Sequence, residues 1–138
     1  MKMGMRCWIS RCVAEIIRRE SQAAVPREAC GLLFGSADEI TDSQATENVA
    51  ENPEIRFEID PRALFAALRA ERNGGPALAG YWHSHPSGDA TPSATDAAMA
   101  APDGKLWLIV AGGAITGWRA GESGIHGRFE RVDIGIRD

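Results

Sequence analysis

The sequence predicts an α/β fold: a single domain in which a curved, mixed β-sheet is flanked by helices. Three observations predict it. Helical and strand-like hydrophobic periods alternate, in the approximate order α, several β, α, β, α and three β. The length of 138 residues suits one domain and is enough for a hydrophobic core without staples. Fifteen glycines and seven prolines punctuate the chain with tight turns around short elements, and no repeat or long linker divides it.

The first helix is predicted over residues 9–24. Ser10 can cap it, Val13, Ile16 and Ile17 fall at helical spacing, Arg18, Arg19 and Glu20 supply a wet face, and Pro26 stops it. The apolar run of residues 28–35 is bounded by glycine and predicts a buried strand. Residues 39–49 form a weaker, polar strand. Residues 55–59 alternate apolar and charged, as a half-buried strand does. Asp60-Pro61 starts a helix over residues 61–73, because aspartate accepts from free first-turn N–H groups and proline suits the first helical position. Leu64, Phe65 and Leu68 are its apolar stripe, and Gly74-Gly75-Pro76 ends it. Residues 77–82 predict a central strand running into His83. A third helix is expected over residues 93–100. Final strands are expected over 106–111, 115–119 and 127–132, with Gly112-Gly113 as the turn between the first two.

The composition is that of an ordinary globular chain, 44% apolar and 25% charged. A net charge of −4 disfavours a nucleic-acid partner. Three cysteines, Cys7, Cys12 and Cys30, cannot all pair within one chain, which fits a reducing cytoplasm. The apolar run after Lys2 and Arg6 is broken by Ser10, Arg11 and Glu15, so no signal peptide is expected. No stretch approaches the ~20 apolar residues of a membrane span. A cytoplasmic location with no membrane partner follows as the expectation, and the oligomeric state stays open.

The chemistry concentrates in His83-Ser84-His85-Pro86, followed by Ser93 and Asp96. Residues i and i+2 of a strand share a face, so His83 and His85 can aim at one point. A helix starting near Ser93 can return Asp96 to them. Two neutral imidazole nitrogens and a carboxylate oxygen suit Zn²⁺, and three protein ligands leave one position open. An attacking water in such a site needs a carboxylate base that does not bind the metal. Glu28 is the first candidate, because it opens an apolar strand where a charge needs a function or a partner. Glu58 is second, though its alternation with Phe57 and Ile59 points it to solvent. Each residue also has a plainer meaning: a satisfied histidine pair, a Ser-x-x-Asp helix cap, a surface charge at a strand entrance. Cys30 and the tryptophans suit packing, with Trp82 on the opposite strand parity from the ligands. Asp89 and His126 suit exposed turns.

Glu28, His83-Ser84-His85, Ser93 and Asp96 together resemble the signature of the JAMM (MPN-plus) zinc metalloproteases. Residues 26–35 resemble the strand carrying that family's general base. The segment Phe57-Glu58-Ile59-Asp60-Pro61 with its helix looks like the compact prokaryotic branch. The resemblance covers residues 9–132. It implies a JAMM/MPN-like fold, related to that of the cytidine deaminases, and zinc held by His83, His85 and Asp96. It implies Glu28 as general base and Ser93 as hydrogen-bond donor to the oxyanion, with Ser84 in support. It further implies an isopeptidase or deubiquitinase-like activity on the Gly-ended C-terminal tail of a ubiquitin-like or sulfur-carrier protein. That tail could lie extended beside a strand edge near the metal. A non-catalytic MPN-type protein-binding scaffold is the alternative. A nucleoside deaminase would need His-x-Glu and Pro-Cys-x-x-Cys, and neither is present. A DNA-associated relative of the fold is disfavoured by the charge.

Overall fold

The computed structural model describes residues 5–138, so Lys2 lies outside the described residues. The chain forms β1 (Arg6–Ser10), α1 (Arg11–Ala24), β2 (Cys30–Gly35), β3 (Glu39–Thr46), α2 (Pro61–Arg72), β4 (Leu78–Ser84), α3 (Ala94–Met99), β5 (Leu106–Ala111), β6 (Ala114–Ile125) and β7 (Phe129–Arg137). The sheet is mixed, as expected, and it is closed. Its strands run β1-β3-β2-β4-β5-β6-β7 and back to β1. β1 pairs in parallel with both β3 and β7, β4 with β5 likewise in parallel, and the remaining neighbours are antiparallel.

Closure depends on a strand that the sequence did not disclose. Cys7 and Ile9 are fully buried, while Arg6, Trp8 and Ser10 are not, the alternation of a half-buried strand. Five residues are too few to stand out before a strong helix, so Ile9 read as helical. The helix starts at Arg11, with Ser10 as its cap and the Ser10 hydroxyl oxygen accepting from Val13 N–H at 3.0 Å. β4 is flanked by β2 and β5, and every strand of the ring has two neighbours. β3 meets β1 only at Glu39 and Ile40, so residues 41–46, which run alongside β2 toward Cys30, keep one edge outside the ladder.

Residues 55–59 are not a strand. They belong to a loop whose one ladder contact is an isolated bridge between Asn48 and Ile59. Their alternation arises because Phe57 plugs the core and Ile59 packs beside it, while Ile55, Arg56 and Glu58 stay exposed. β6 and β7 extend well past the expected 115–119 and 127–132. Their outer ends are polar and half-exposed, which weakened the strand signal.

The two faces of the strands bury different partners. Leu33, Trp82, Leu106, Leu108 and Val110 pack with Val13, Ala14 and Ile17 of α1. The opposite face gathers Cys30, Trp107, Ile109, Trp118 and Phe129 with Phe57 and Ala100. α2 covers Leu32 and Leu78 through Ala67 and Leu64. Gly31 is required where β2 passes β4. A Cβ there would collide with the Trp82 indole and the Gln44 carbonyl. The result places Trp82 on the α1 side and leaves the parity of His83 and His85 to the other.

Candidate metal centre

β4 delivers the histidines. His83 is its second-last residue, and His85 stays extended beyond its end because its N–H donates to the Val110 carbonyl at 2.9 Å. Ser84 between them points the other way. Its hydroxyl oxygen accepts from Ala29 N–H at 2.8 Å, and its own N–H donates to the Ala29 carbonyl at 3.0 Å. These bonds carry the pairing of β2 with β4 one step past Cys30–His83, so that Glu28 comes level with His85. Ser84 is thus a brace between the two segments.

α3 delivers Asp96. Ser93 caps the helix, its hydroxyl oxygen accepting from Asp96 N–H at 3.0 Å while Ser93 N–H donates to Asp96 Oδ2 at 2.9 Å. This is a capping box built with aspartate. The same Oδ2 lies 3.2 Å from His83 Nε2 and 3.1 Å from His85 Nε2, and the two nitrogens are 3.0 Å apart. The cap and the convergence on the histidines are one arrangement.

The donor set fits a cation. Ligand atoms held ~2.0–2.2 Å from a tetrahedral zinc lie roughly 3.3–3.6 Å from each other, close to the observed triangle. Protons alone satisfy it poorly. His85 Nδ1 lies 2.7 Å from the Asp89 carbonyl, which requires the ring hydrogen on Nδ1 and leaves the Nε2 lone pair facing the other two atoms. One hydrogen on His83 Nε2 can serve only part of the triangle. A divalent cation serves all three atoms at once.

Electrostatics separate the two nearby carboxyl groups. Burial would raise Asp96, but its contacts with the His83 and His85 rings and the hydrogen bond from Ser93 N–H outweigh it and hold the carboxyl well below the usual range. Glu28 is raised from 4.5 to about 7, chiefly by burial, with the charge of His85 opposing and that of Asp96 adding. Its Oε1 is buried without a hydrogen-bond partner. Burial lowers His83 despite its contact with Asp96, which favours the neutral ligand form. For His85, burial is outweighed by the contact with Asp96 and the hydrogen bond to the Asp89 carbonyl, and its pKa is raised. Glu28, His83 and His85 offer ligand atoms within 4.8 Å of one another, so Glu28 too stands within reach of a shared ion.

The structure therefore gathers Glu28, His83, His85 and Asp96 in one buried cluster, with Ser93 on the rim. Glu28, His85 and Ser93 line a cleft of about 200 Å³ with Glu54, Ile55 and Thr91. A second cleft of about 490 Å³ opens on the other side of His85 and Pro86, between α1 and the β5–β6 turn. Glu58, the second base candidate, is exposed and does not line the cleft of Glu28. His126 is in an exposed turn at φ 53°. The Cys30 thiol is pushed up to about 11, mainly by burial, as suits a packed, unreactive thiol.

Four residues contribute in ways the sequence does not show. Phe57 stacks on the His83 ring at 4.3 Å between centroids, and Trp107 meets that ring edge-on. Asp89, an exposed turn residue as expected, orients His85 through its backbone carbonyl. Asn48, buried beside Glu28, anchors the loop that carries Phe57. Only the asparagine carried a signal, a polar residue closing a strand just before a loop.

The family model for prokaryotic homologs of the JAB domain matches residues 10–122, a span that contains the whole cluster. The chain belongs to this family. Among curated proteins, the JAB-domain chain is 38% identical over 86 residues to the Desampylase of Haloferax volcanii, covering 61% of this chain and 62% of that protein. It is 33% identical over 93 residues to a probable TtuB-protein conjugate cleaving protease of Thermus thermophilus, covering 67% of this chain and 62% of that protein. The matched region thus spans about three-fifths of the length of each relative. Solved structures agree on the JAB/MPN-like fold. A Desulfitobacterium hafniense protein aligns over 96% of this chain and 93% of its own, with a TM-score of 0.78 and 24% identity. A Salinibacter ruber protein covers 97% and 92%, at 0.64 and 30%. A JAB1/MPN-domain protein from Archaeoglobus fulgidus covers 96% and 99%, at 0.58 and 21%.

Proposed function

We propose that the chain is a zinc-dependent metallopeptidase, one domain over its whole length, that hydrolyses an amide or isopeptide bond at the C-terminal tail of a ubiquitin-like or sulfur-carrier protein. The observation that carries this reading is the pairing of a three-atom donor triangle with a buried, unpartnered carboxyl group beside it. A scaffold needs neither. The names of the two curated relatives, a Desampylase and a conjugate-cleaving protease, support the same substrate class.

His83, His85 and Asp96 would hold the zinc. Bound there, zinc supplies Lewis-acid polarisation of the scissile carbonyl and acidifies water. Glu28, the carboxyl left without a hydrogen-bond partner, takes a proton from the attacking water and returns it to the departing amine. The Ser93 oxygen already accepts from Asp96 N–H, so its own hydrogen is free to donate to the oxyanion as the tetrahedral centre forms. The capping box keeps that hydroxyl beside Asp96, and Phe57 excludes water from one face of His83. The clefts on either side of His85 and Pro86 offer room for the two halves of an extended substrate.

The test is a fusion of a β-grasp carrier, ending in Gly-Gly, to a reporter amine, read by mass spectrometry. The zinc-loaded protein should release the carrier with its tail intact, and Glu28→Gln should keep about one zinc per chain while losing turnover. Turnover by Glu28→Gln at the parent rate would remove Glu28 as base. Intact fusions after incubation with the zinc-loaded parent would overturn the activity itself.

A further inference from the structure

We infer that Asn48 is a positioning residue: its side-chain amide sets the place of Glu28 above the histidines by tying the backbone of Glu28 to the loop that walls the cleft. The inference rests on the function proposed for Glu28 and adds to it a residue outside the metal-binding and catalytic set.

Asn48 is buried, 7% exposed, at the point where the chain leaves β3. Its Nδ2 donates to the Glu28 carbonyl at 2.9 Å and to the Arg56 carbonyl at 3.0 Å, with the Pro53 carbonyl farther off at 3.4 Å. Its Oδ1 accepts from Ala50 N–H at 3.0 Å and Glu58 N–H at 3.1 Å. An asparagine amide has two N–H groups and two lone pairs, and here all are engaged. Every partner is main chain. On one side lies Glu28 alone. On the other lie both ends of the loop that contains Glu54 and Ile55, which line the cleft, and Phe57, which stacks on His83.

Two further bonds close the arrangement. Glu28 N–H donates to the Pro53 carbonyl at 2.6 Å, and Val49 N–H donates to the Glu58 carbonyl at 3.0 Å. Glu28 precedes β2 and has no ladder bond of its own, so its backbone is held by this loop and by the Ser84 brace at Ala29. The carboxyl itself has a buried oxygen with no partner. No hydrogen bond from the described residues holds that oxygen, so the place of the side chain follows from its backbone. Among the described residues, Asn48 is the one side chain that addresses that backbone and the His83-stacking loop together.

Replacing the amide by an isosteric carboxylate removes both donors and sets oxygen against the Glu28 and Arg56 carbonyls. The experiment compares the zinc-loaded parent with Asn48→Asp, and with Asn48→Ser as a less charged second variant. Four quantities are read: zinc per chain, kcat and KM on the carrier fusion, and the ¹³C carboxyl signal of Glu28, identified by its loss in Glu28→Gln. The expected result is unchanged zinc, a displaced or broadened Glu28 signal, and kcat down by about 10- to 100-fold with KM nearly constant, as for a misplaced catalytic group. Amide exchange of residues 50–58 should also quicken. A loosened loop with an unmoved Glu28 signal and parental kcat would overturn the inference and leave Asn48 a loop anchor. Failure of both variants to fold would overturn it too, by making the amide a determinant of folding. If the parent cleaves no fusion, the proposed activity falls, while the carboxyl signal still decides whether Asn48 places Glu28.

Discussion

At the scale of single residues, Glu28 and Asp96 are carboxyl groups driven in opposite directions by their surroundings. In the metal-free protein Glu28 binds its proton more tightly folded than unfolded, since its pKa rises from 4.5 to about 7. Its ionisation therefore opposes folding: the penalty is absent below about pH 4.5, grows through the interval, and is complete above about pH 7. Glu28→Gln removes it. Denaturant titration of the metal-free proteins should find the variant more stable at pH 8 by about 1–2 kcal/mol, after allowance for screening, with the gain gone at pH 4. A gain independent of pH would show that ionisation is not its source. For Asp96 the sign is reversed, because its depressed carboxyl favours the folded state at neutral pH. Asp96→Asn should lose most of its zinc by metal analysis and some stability even without metal. Parental zinc content in that variant would shift the third ligand to Glu28, which also stands within reach of both histidines.

Elements explain why the site residues were legible as a set while some of their supports were not. A two-residue spacing on a strand and a capping-box spacing on a helix are local patterns, and each was visible in the sequence at residues 83–85 and 93–96. The side chains that organise the space between these elements act through tertiary contacts. Asn48 bonds backbone groups at positions 28 and 56, and Phe57 meets a ring at position 83; neither pairing has a sequence period. The alternation at residues 55–59 misled for the same reason, since burial of Phe57 by the sheet imitates a strand pattern in a loop. Gly31 can be tested at this scale. Gly31→Ala sets a methyl group against the Trp82 indole and a main-chain carbonyl, and should destabilise by about 2 kcal/mol or more in thermal or chemical unfolding. A neutral effect would mean that the indole can move aside. Ser93→Ala should lower stability by about 1 kcal/mol in the metal-free protein through loss of the cap, and should slow turnover further in the zinc-loaded one. Equal turnover by parent and variant would reduce Ser93 to a cap.

For the whole molecule, the α/β class, the mixed sheet and most of the helices were readable from periodicity and turn residues. Closure was not. It turns on β1, five residues that join β3 to β7, the latter more than a hundred positions away. The order of strands around a sheet leaves no local trace, and a short strand abutting a capped helix is easily absorbed into it. Ile9, fully buried in that strand, should then behave as a core residue. Ile9→Ala is expected to cost about 2–4 kcal/mol in denaturant unfolding. A cost near zero would mean that β1 contributes little to the closed sheet.

The double use of Asp96 Oδ2 has a consequence for how the molecule reports its own state. α3 is six residues long, far below the length at which a helix persists in water. Its first turn is fastened by the same oxygen that faces His83 and His85. Loading and stripping of metal should then be felt as tightening and fraying of α3. Saturating zinc should raise the melting temperature with a concentration dependence set by its affinity. A chelator should release the amide of Asp96 to exchange before those of the central strands. The helix is in effect a gauge for occupancy of the centre, readable without any substrate.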